Sequence, residues 1–447
     1  MTSELLAPLD LAFWNLESAE HPMHLGALGV FEADSPASAA RAADLLAARA
    51  AGVPGLRMRI RDVWRPPSPE RRPFSFGGAT REPDPGFDPL DHVRLHAPVD
   101  EFQEVAGRLM ERPLARCRPP WEAHVLPRTA GGSFAVLFKF HHALADGLRA
   151  LTLAAGVLDP VDLPTGRPRP PEESRATGLP DVRRLPEMLR GALSDAGRAL
   201  DIGAAAALSG LDVRSSPALV AEPSGTRRTA GVVLDLDDVH RVRKAEGGTV
   251  NDVLIAVVAG ALRRWLEGRG DDSDGLAPRA LIPVSKRRPR GAEPPGNRLS
   301  GYLIRLPVGD PDPLGRLGAV RTAMDRNKDA GPGRGAGAVA LLADHIPALG
   351  HRLGGPLVGG AARLWFDVLV TSVPLPGIGL RLGGTPLTEV YPFAPLARGH
   401  SLAVAVSTYR GRVHYGLVAD GRAVPDLGLL AAALSTELAE LIAVCER

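Results

Sequence analysis

Phe134, Val136, Phe138 and Phe140 recur at every second position, the period of a strand with one face packed on a core. That strand runs straight into His141-His142-Ala143-Leu144-Ala145-Asp146-Gly147. A hydrophobic strand therefore delivers two adjacent histidines at its end. Neighbouring strand residues point to opposite faces, so one imidazole is expected to face a cleft while the other turns into the protein. The pattern predicts one working histidine and one supporting histidine.

The chain is 447 residues long and 45% apolar, enough for two or three cores at the usual ~100 to 200 residues per domain. Its net charge is +2 and its basic residues are scattered, which gives no nucleic-acid footprint. The two cysteines, Cys117 and Cys445, stand far apart with no C-x-x-C spacing, so neither a disulfide framework nor a zinc ribbon is implied. The first residues lack a basic stretch followed by an apolar one, and no window approaches the ~18 to 20 uninterrupted apolar residues of a spanning helix. The expectation is a soluble cytoplasmic protein.

Taken in order, residues 22–31 read as a strand, 36–51 as an Ala-rich helix and 57–60 as a second strand. Apolar spacing predicts a helix over 101–111 that ends at Pro113. A strand over 119–126 is expected to pair with the opening stretch, and the Gly-containing residues 128–132 make it a hairpin with the strand before His141. Residues 148–158 read as a helix. Six prolines between 159 and 181 mark a semi-extended linker, and 185–209 has the spacing of a helix packed on a domain. The second half restarts with a strand at 231–236. Thr249 and Asp252 then form a capping pair ahead of an apolar helix from 253 to about 266. Strands are expected at 281–284, 301–306, 368–373, 402–409 and 413–418, with Arg410-Gly411 as a tight hairpin turn. Residues 331–337 read as a flexible loop, 338–364 as one or two helices, and 429–445 as a closing amphipathic helix. Strands alternate with helices in both halves, which predicts two similar α/β units. The boundaries drawn are 1–160, a linker and connecting helix over 161–225, and 226–447.

His141, His142 and Asp146 admit three readings: a metal site, a structural strand end, and acid/base catalysis. The spacing is not a helical i, i+4 ligand pair and no Cys or Glu cluster accompanies it, which weighs against metal. An imidazole of ordinary pKa ~6.5 suits proton removal near neutral pH. No G-x-S-x-G elbow occurs, and the 331–337 glycines match neither phosphate-binding pattern. A histidine without a nucleophile partner suggests that the substrate supplies the nucleophile.

His141-His142-Ala-Leu-Ala-Asp146-Gly147 resembles the H-H-x-x-x-D-G motif of CoA-dependent acyltransferases. Pro8-Leu9-Asp10, Pro22-Met23-His24, Pro120-Trp121-Glu122, Gly248-Thr249-Val250-Asn251-Asp252-Val253, Pro283-Val284-Ser285, Gly296-Asn297-Arg298 and 411–417 narrow it further. In order and over nearly the whole chain, they resemble the bacterial wax ester synthase/diacylglycerol acyltransferase family. The resemblance implies an α/β (α+β) fold of two chloramphenicol acetyltransferase-like subdomains, each a mixed sheet with flanking helices, around a central tunnel. It implies acyl-CoA as co-substrate, no bound cofactor or metal, a fatty alcohol or diacylglycerol as acceptor, and contact with a membrane or lipid inclusion. His142 matches the family's general base, with His141 and Gly147 beside it. Asp146 matches an acidic position expected to pair with an arginine. Asn251 and Asp252 match an Asn-Asp pair, Asn251 as a site-lining amide and Asp252 toward substrate. Where the family has Ser-Asn-Val-Pro-Gly-Pro, this chain has Thr371-Ser372-Val373-Pro374-Leu375-Pro376, so Ser372 and Leu375 are expected to reshape the acceptor side. Pro119-Pro120-Trp121 replaces Pro-Leu-Trp, and Ser401 stands where asparagine is common. Two alternatives follow from these departures: transfer to a natural-product hydroxyl or amine, or a lipid-binding homologue without catalysis.

Overall fold

The computed structural model describes residues 3–63, 78–160, 216–285, 299–330, 366–375 and 377–447. The readings made for most of the 159–181 linker, the 185–209 helix, the 331–337 loop, the 338–364 helices, Gly296-Asn297-Arg298 and Pro376 lie outside them.

The chain opens with β1 (Glu4–Leu5), α1 (Pro8–Leu16), β2 (His24–Phe31), α2 (Ala37–Ala50), β3 (Met58–Asp62) and β4 (Ala79–Pro83). There follow β5 (Val93–Leu95), α3 (Phe102–Met110), β6 (Trp121–Pro127), β7 (Phe134–His141) and α4 (Gly147–Ala155). The second half holds β8 (Arg227–Asp235), α5 (Leu236–Glu246), α6 (Val250–Gly268), β9 (Arg279–Ser285), β10 (Leu299–Arg305) and α7 (Pro313–Ala330). It closes with β11 (Val368–Ser372), β12 (Arg381–Leu382), β13 (Thr385–Phe393), β14 (Leu402–Tyr409), β15 (Arg412–Asp420) and α8 (Leu427–Cys445).

Two six-stranded mixed sheets carry the fold, in the orders β12-β13-β2-β7-β6-β5 and β10-β9-β11-β14-β15-β8, beside a small β1-β4-β3 sheet. The hairpin β6–β7 forms as the turn residues predict, Trp121 facing Phe140 and Pro127 facing Phe134. β6 pairs with β7 and β5, not with the opening stretch. The opening residues instead make β1, against β4, and the helix α1.

β7 is buried at all eight positions rather than on one face. Phe134, Val136, Phe138 and Phe140 pack with Trp121, Leu46 and Leu153 on one side. Ala135 and Leu137 pack with Phe102, Ala106 and Leu109 of α3 on the other. A central strand covered on both sides must bury every residue, and at position 139 that residue is a lysine. Lys139 Nζ donates to the carbonyls of Leu109 and Arg112 at 2.8 and 2.9 Å, at the C-terminal end of α3. Glu122 Oε2 lies 3.5 Å away. Burial pushes this ammonium down to about 8 against the pull of Glu122.

The second sheet packs on α6, α8 and α7 through one large core. The capping box of Thr249 and Asp252 is present in both directions, at 2.8 and 3.2 Å. Arg410 and Gly411 both take positive φ, 48° and 75°, as the two-residue turn between β14 and β15 requires. α8 has the length and apolar composition of a membrane span, alone among the described helices taken singly. Its Leu430, Leu434, Leu438 and Leu441 fill the core, and its buried Glu437 pairs with Arg316 and Arg264.

The two sheets meet where β13, from late in the chain, joins the first sheet beside β2. Gly416 of β15 and Gly231 of β8 stand opposite each other in register. A Cβ on Gly416 would lie 2.0 Å from the Pro392 carbonyl oxygen, and one on Gly231 would lie 2.3 Å from the Tyr391 ring. The glycine pair is thus the place where one sheet lets the other's backbone approach.

Candidate active site

The two histidines sit where three motifs converge. His141, last residue of β7, faces His24 across the β2 ladder. Its backbone N–H donates to Pro120 O at 2.9 Å, while the N–H of His142 donates to Met23 O at 2.8 Å. Each histidine's main chain is therefore claimed by a different neighbouring segment, which accounts for the Pro22-Met23-His24 and Pro120-Trp121 pieces of the sequence pattern. Beyond them the chain turns tightly, Leu144 N–H reaching His141 O at 2.9 Å.

Helix α1 presents consecutive aromatic residues to consecutive imidazoles. The His142 ring stacks on Phe13 with centroids 3.9 Å apart and planes at 25°, and the His141 ring meets Trp14 edge-on at 5.0 Å. His141 is 1% exposed and His142 8%, so both are buried and His142 is the more open. His141 Nδ1 accepts the Ala143 N–H at 3.0 Å. In the neutral ring that leaves the proton on Nε2, which lies 3.4 Å from Glu17 Oε1.

Burial pushes the His142 imidazole down to about 4, against a hydrogen bond to its own backbone carbonyl and the Asp146 carboxylate, both of which favour the charged form. The base form is therefore filled at neutral pH. Asp146 is the N-cap of α4, its Oδ1 accepting the Arg149 backbone N–H at 2.8 Å. It thus meets an arginine through the main chain, where a guanidinium partner was expected. The guanidinium that holds the loop is Arg81, buried, with Nη2 2.7 Å from Ala143 O and 3.4 Å from Asp10 Oδ2. Gly147 lies where a Cβ would come 3.3 Å from Val373 Cγ2. The histidine loop thus runs beside Val373 of the segment after β11.

Val373 is placed by β14, its N–H donating to Val406 O at 2.9 Å and its carbonyl accepting from Ser407 Oγ at 2.7 Å. Ser372, at the end of β11, is exposed. Leu375 packs against the core of the first sheet. Asn251 lies in the first turn of α6, and Asp252 beside it is buried, with one oxygen used by the Thr249 cap. The contacts described do not join Asn251 or Asp252 to the His142 loop. Sequence reasoning missed Phe13, Glu17 and Arg81. Phe13 and Glu17 follow the Pro8-Leu9-Asp10 piece, and only Asp10, partner of Arg81, carried a signal.

Among the described residues no group of three or more His, Cys, Asp or Glu is arranged to hold a metal ion. A cleft of about 990 Å³ opens between α3, β8 and α8, lined by Gln103, Arg108, Arg227, Arg228, Arg422 and Ala431. It includes no residue of the histidine loop.

The buried histidines carry a stability consequence. His24 is held well below its ordinary value, by burial first and then by Lys139, as its Nε2 donates to Met110 O. His142 behaves likewise. Between their folded values and the ordinary ~6.5 the unfolded chain binds more protons than the folded one, so stability falls as pH falls through that window. Each such histidine contributes up to about 1.4 kcal/mol per pH unit. Urea unfolding at pH 7 and pH 5 is expected to give a lower midpoint at pH 5; an unchanged or higher midpoint would contradict the neutral assignment.

Residues 6–254 match the model of the wax ester synthase/diacylglycerol acyltransferase catalytic domain, and 295–442 match the WS/DGAT C-terminal domain. A Mycobacterium tuberculosis protein named as a diacylglycerol O-acyltransferase is 32% identical over 98% of this chain and 99% of its own length. A Mycobacterium bovis protein of the same name is 31% identical over 98% of both. Among solved structures, the wax ester synthase/diacylglycerol acyltransferase from Marinobacter aquaeolei superposes with a TM-score of 0.72 at 23% identity, covering 99% of this chain and 100% of that one. A trichothecene 15-O-acetyltransferase from Fusarium sporotrichioides gives a TM-score of 0.60 at 12% identity, covering 98% and 95%. Both share the fold described above.

Proposed function

This chain belongs to the wax ester synthase/diacylglycerol acyltransferase family, and from that premise we propose that His142 drives transfer of an acyl group from acyl-CoA to a long-chain alcohol or a diacylglycerol. The observation that carries the reading is the His142 imidazole itself, neutral, stacked on Phe13 and held by main-chain bonds on both sides of the loop.

In the reaction His142 accepts the acceptor's hydroxyl proton as the oxygen attacks the thioester carbonyl. The C–O bond forms, the carbonyl π pair moves to oxygen, and the tetrahedral intermediate then expels CoA thiolate. The imidazolium returns its proton to that sulfur. Burial makes the imidazolium costly, so the proton passes on readily, and the Asp146 carboxylate tempers the cost. Asn251, in the first turn of α6, is our candidate donor to the developing oxyanion, a contribution of ~3 kcal/mol if well aimed. Asp252 fixes that turn from below through the capping box. Ser372 and Leu375 flank Val373, which touches Gly147, and we assign them to the acceptor side. The ester products leave water, so we extend the reading to a cytoplasmic protein working at a membrane or lipid-inclusion surface.

The test is thiol release from palmitoyl-CoA with hexadecanol, a diacylglycerol or a short polar alcohol. Release with the long acceptors is the expected result. No release with any acceptor, despite measurable lipid binding, would favour the non-catalytic lipid-binding alternative.

A further inference from the structure

The geometry points to Glu17 as a positioning residue for proton transfer, acting on His142 through His141 and Met23; the inference rests on His142 being the base. Glu17 follows the last residue of α1, and its side chain is 5% exposed. Three N–H groups surround its two oxygens, one of them hydrogen-bonded and two in ion-pair range. Met23 N–H reaches Oε1 at 3.2 Å, His141 Nε2 lies 3.4 Å from the same atom, and Arg116 Nε lies 3.6 Å from Oε2. Burial alone would raise this carboxyl, yet His141, the Met23 N–H and Arg116 outweigh it and hold it below the ordinary carboxylate range. It is therefore ionised at neutral pH.

Each donor leads back to the base. Met23 is the residue whose carbonyl holds the His142 N–H, so one carboxylate oxygen fixes the segment that fixes His142. His141 receives the Ala143 N–H on Nδ1; an acceptor facing Nε2 keeps the tautomer in which Nδ1 has its lone pair free for that bond. Arg116 lies over the Trp14 ring at 3.9 Å and donates to Trp14 O, which ties the carboxylate to the helix that stacks Phe13 on His142. Only a group with acceptors on both sides suits this place. A glutamine must turn its NH2 toward one of the three donors.

The experiment measures kcat and KM for palmitoyl-CoA and hexadecanol in Glu17→Gln, His141→Gln and the double variant, with thermal melts of each. We expect Glu17→Gln to lose on the order of 100-fold in kcat, the scale of a misplacement near 1 Å, with KM changed less than about twofold because Glu17 is buried behind the histidine pair. The double variant should lose less than the product of the two single losses, since part of Glu17's effect passes through His141. Additive losses, an unchanged kcat, or a loss matched by the fraction unfolded would each overturn the proposal. Should Glu17→Gln fail to fold, Glu17→Asp, which keeps the charge but withdraws it by one methylene, is judged by the same criteria. His142→Ala run alongside separates the two ideas. If it stays active the base assignment fails; if it is dead while Glu17→Gln is normal, only the positioning role fails.

Discussion

Replacing His142 by alanine is expected to lower kcat by ~100 to 10,000-fold, the range associated with losing a general base, in a protein that still folds. The main-chain bonds that hold the loop are made without the imidazole. The 2.8 Å bond from residue 142 to Met23 O is main chain, the Asp146 cap and the Arg81 bond to Ala143 O are made by other residues, and His141 keeps its own contacts. The truncation removes one ring from the face of Phe13 and the only imidazole of the pair with any opening to solvent. Steady-state thiol release, read beside a melting curve, decides the matter: a folded variant with full activity would refute the mechanism. The wild-type profile adds a signed check. With the imidazole near 4, kcat/KM should be flat from about pH 5 upward and drop about tenfold per unit well below 4, where the base is protonated. The acid limb must be read on a time scale shorter than acid unfolding.

The second large effect is expected far from the chemistry. Gly416→Ala puts a methyl group 2.0 Å from the Pro392 carbonyl oxygen and 3.1 Å from the Pro392 nitrogen. Those are backbone atoms of a strand pinned to β2, with Pro392 opposite Ala27. No side chain can swing aside, so one ladder or the other must open. Overpacking of a rigid site costs about 1–3 kcal/mol and sometimes more, and here the upper end or beyond is expected, with activity falling as the sheets part. Gly231→Ala should be milder, because the nearest atoms belong to the side chains of Tyr391 and Gln103. Gly428→Ala, on the outer face of α8 with nothing within 4 Å, should be neutral or slightly stabilising. Chemical unfolding of the three variants checks the order, and a Gly416→Ala protein as stable as wild type would show that the seam is not tight.

What could be read from sequence was local. Alternation found β7, and a four-residue rule found the Thr249–Asp252 box, because both depend on neighbours a few positions away. The burial of both faces of β7 was not legible. Ala135 and Leu137 look unremarkable beside three phenylalanines and a valine, and what covers them is α3, brought in by tertiary packing. β13 was missed for a definite reason: Pro386 and Pro392 argue against a strand, and burial against the Gly416–Gly231 pair overrides that preference. The charged sequences of α5 and α7 likewise hide helices held by a few buried residues, Val239, Val242, Leu317 and Val320. At the site, the motif gave the loop, while Phe13 in α1, Glu17 just after it and Arg81 in β4 lie 60 to 130 positions upstream. Their roles exist only once α1 and β4 are laid against it.

The placement of β13 has a further effect on how such a chain can be made and rearranged. During synthesis the outer edge of β2 stays open until Phe393 has left the ribosome. An unpaired edge in a nascent chain invites pairing with the wrong partner. The closure of the first sheet therefore waits on the second half of the protein. For the same reason the halves are not interchangeable modules. A chimera joining this N-terminal unit to a relative's C-terminal unit would inherit a foreign edge strand, and a clean exchange would have to carry residues 381–393 along with 3–160.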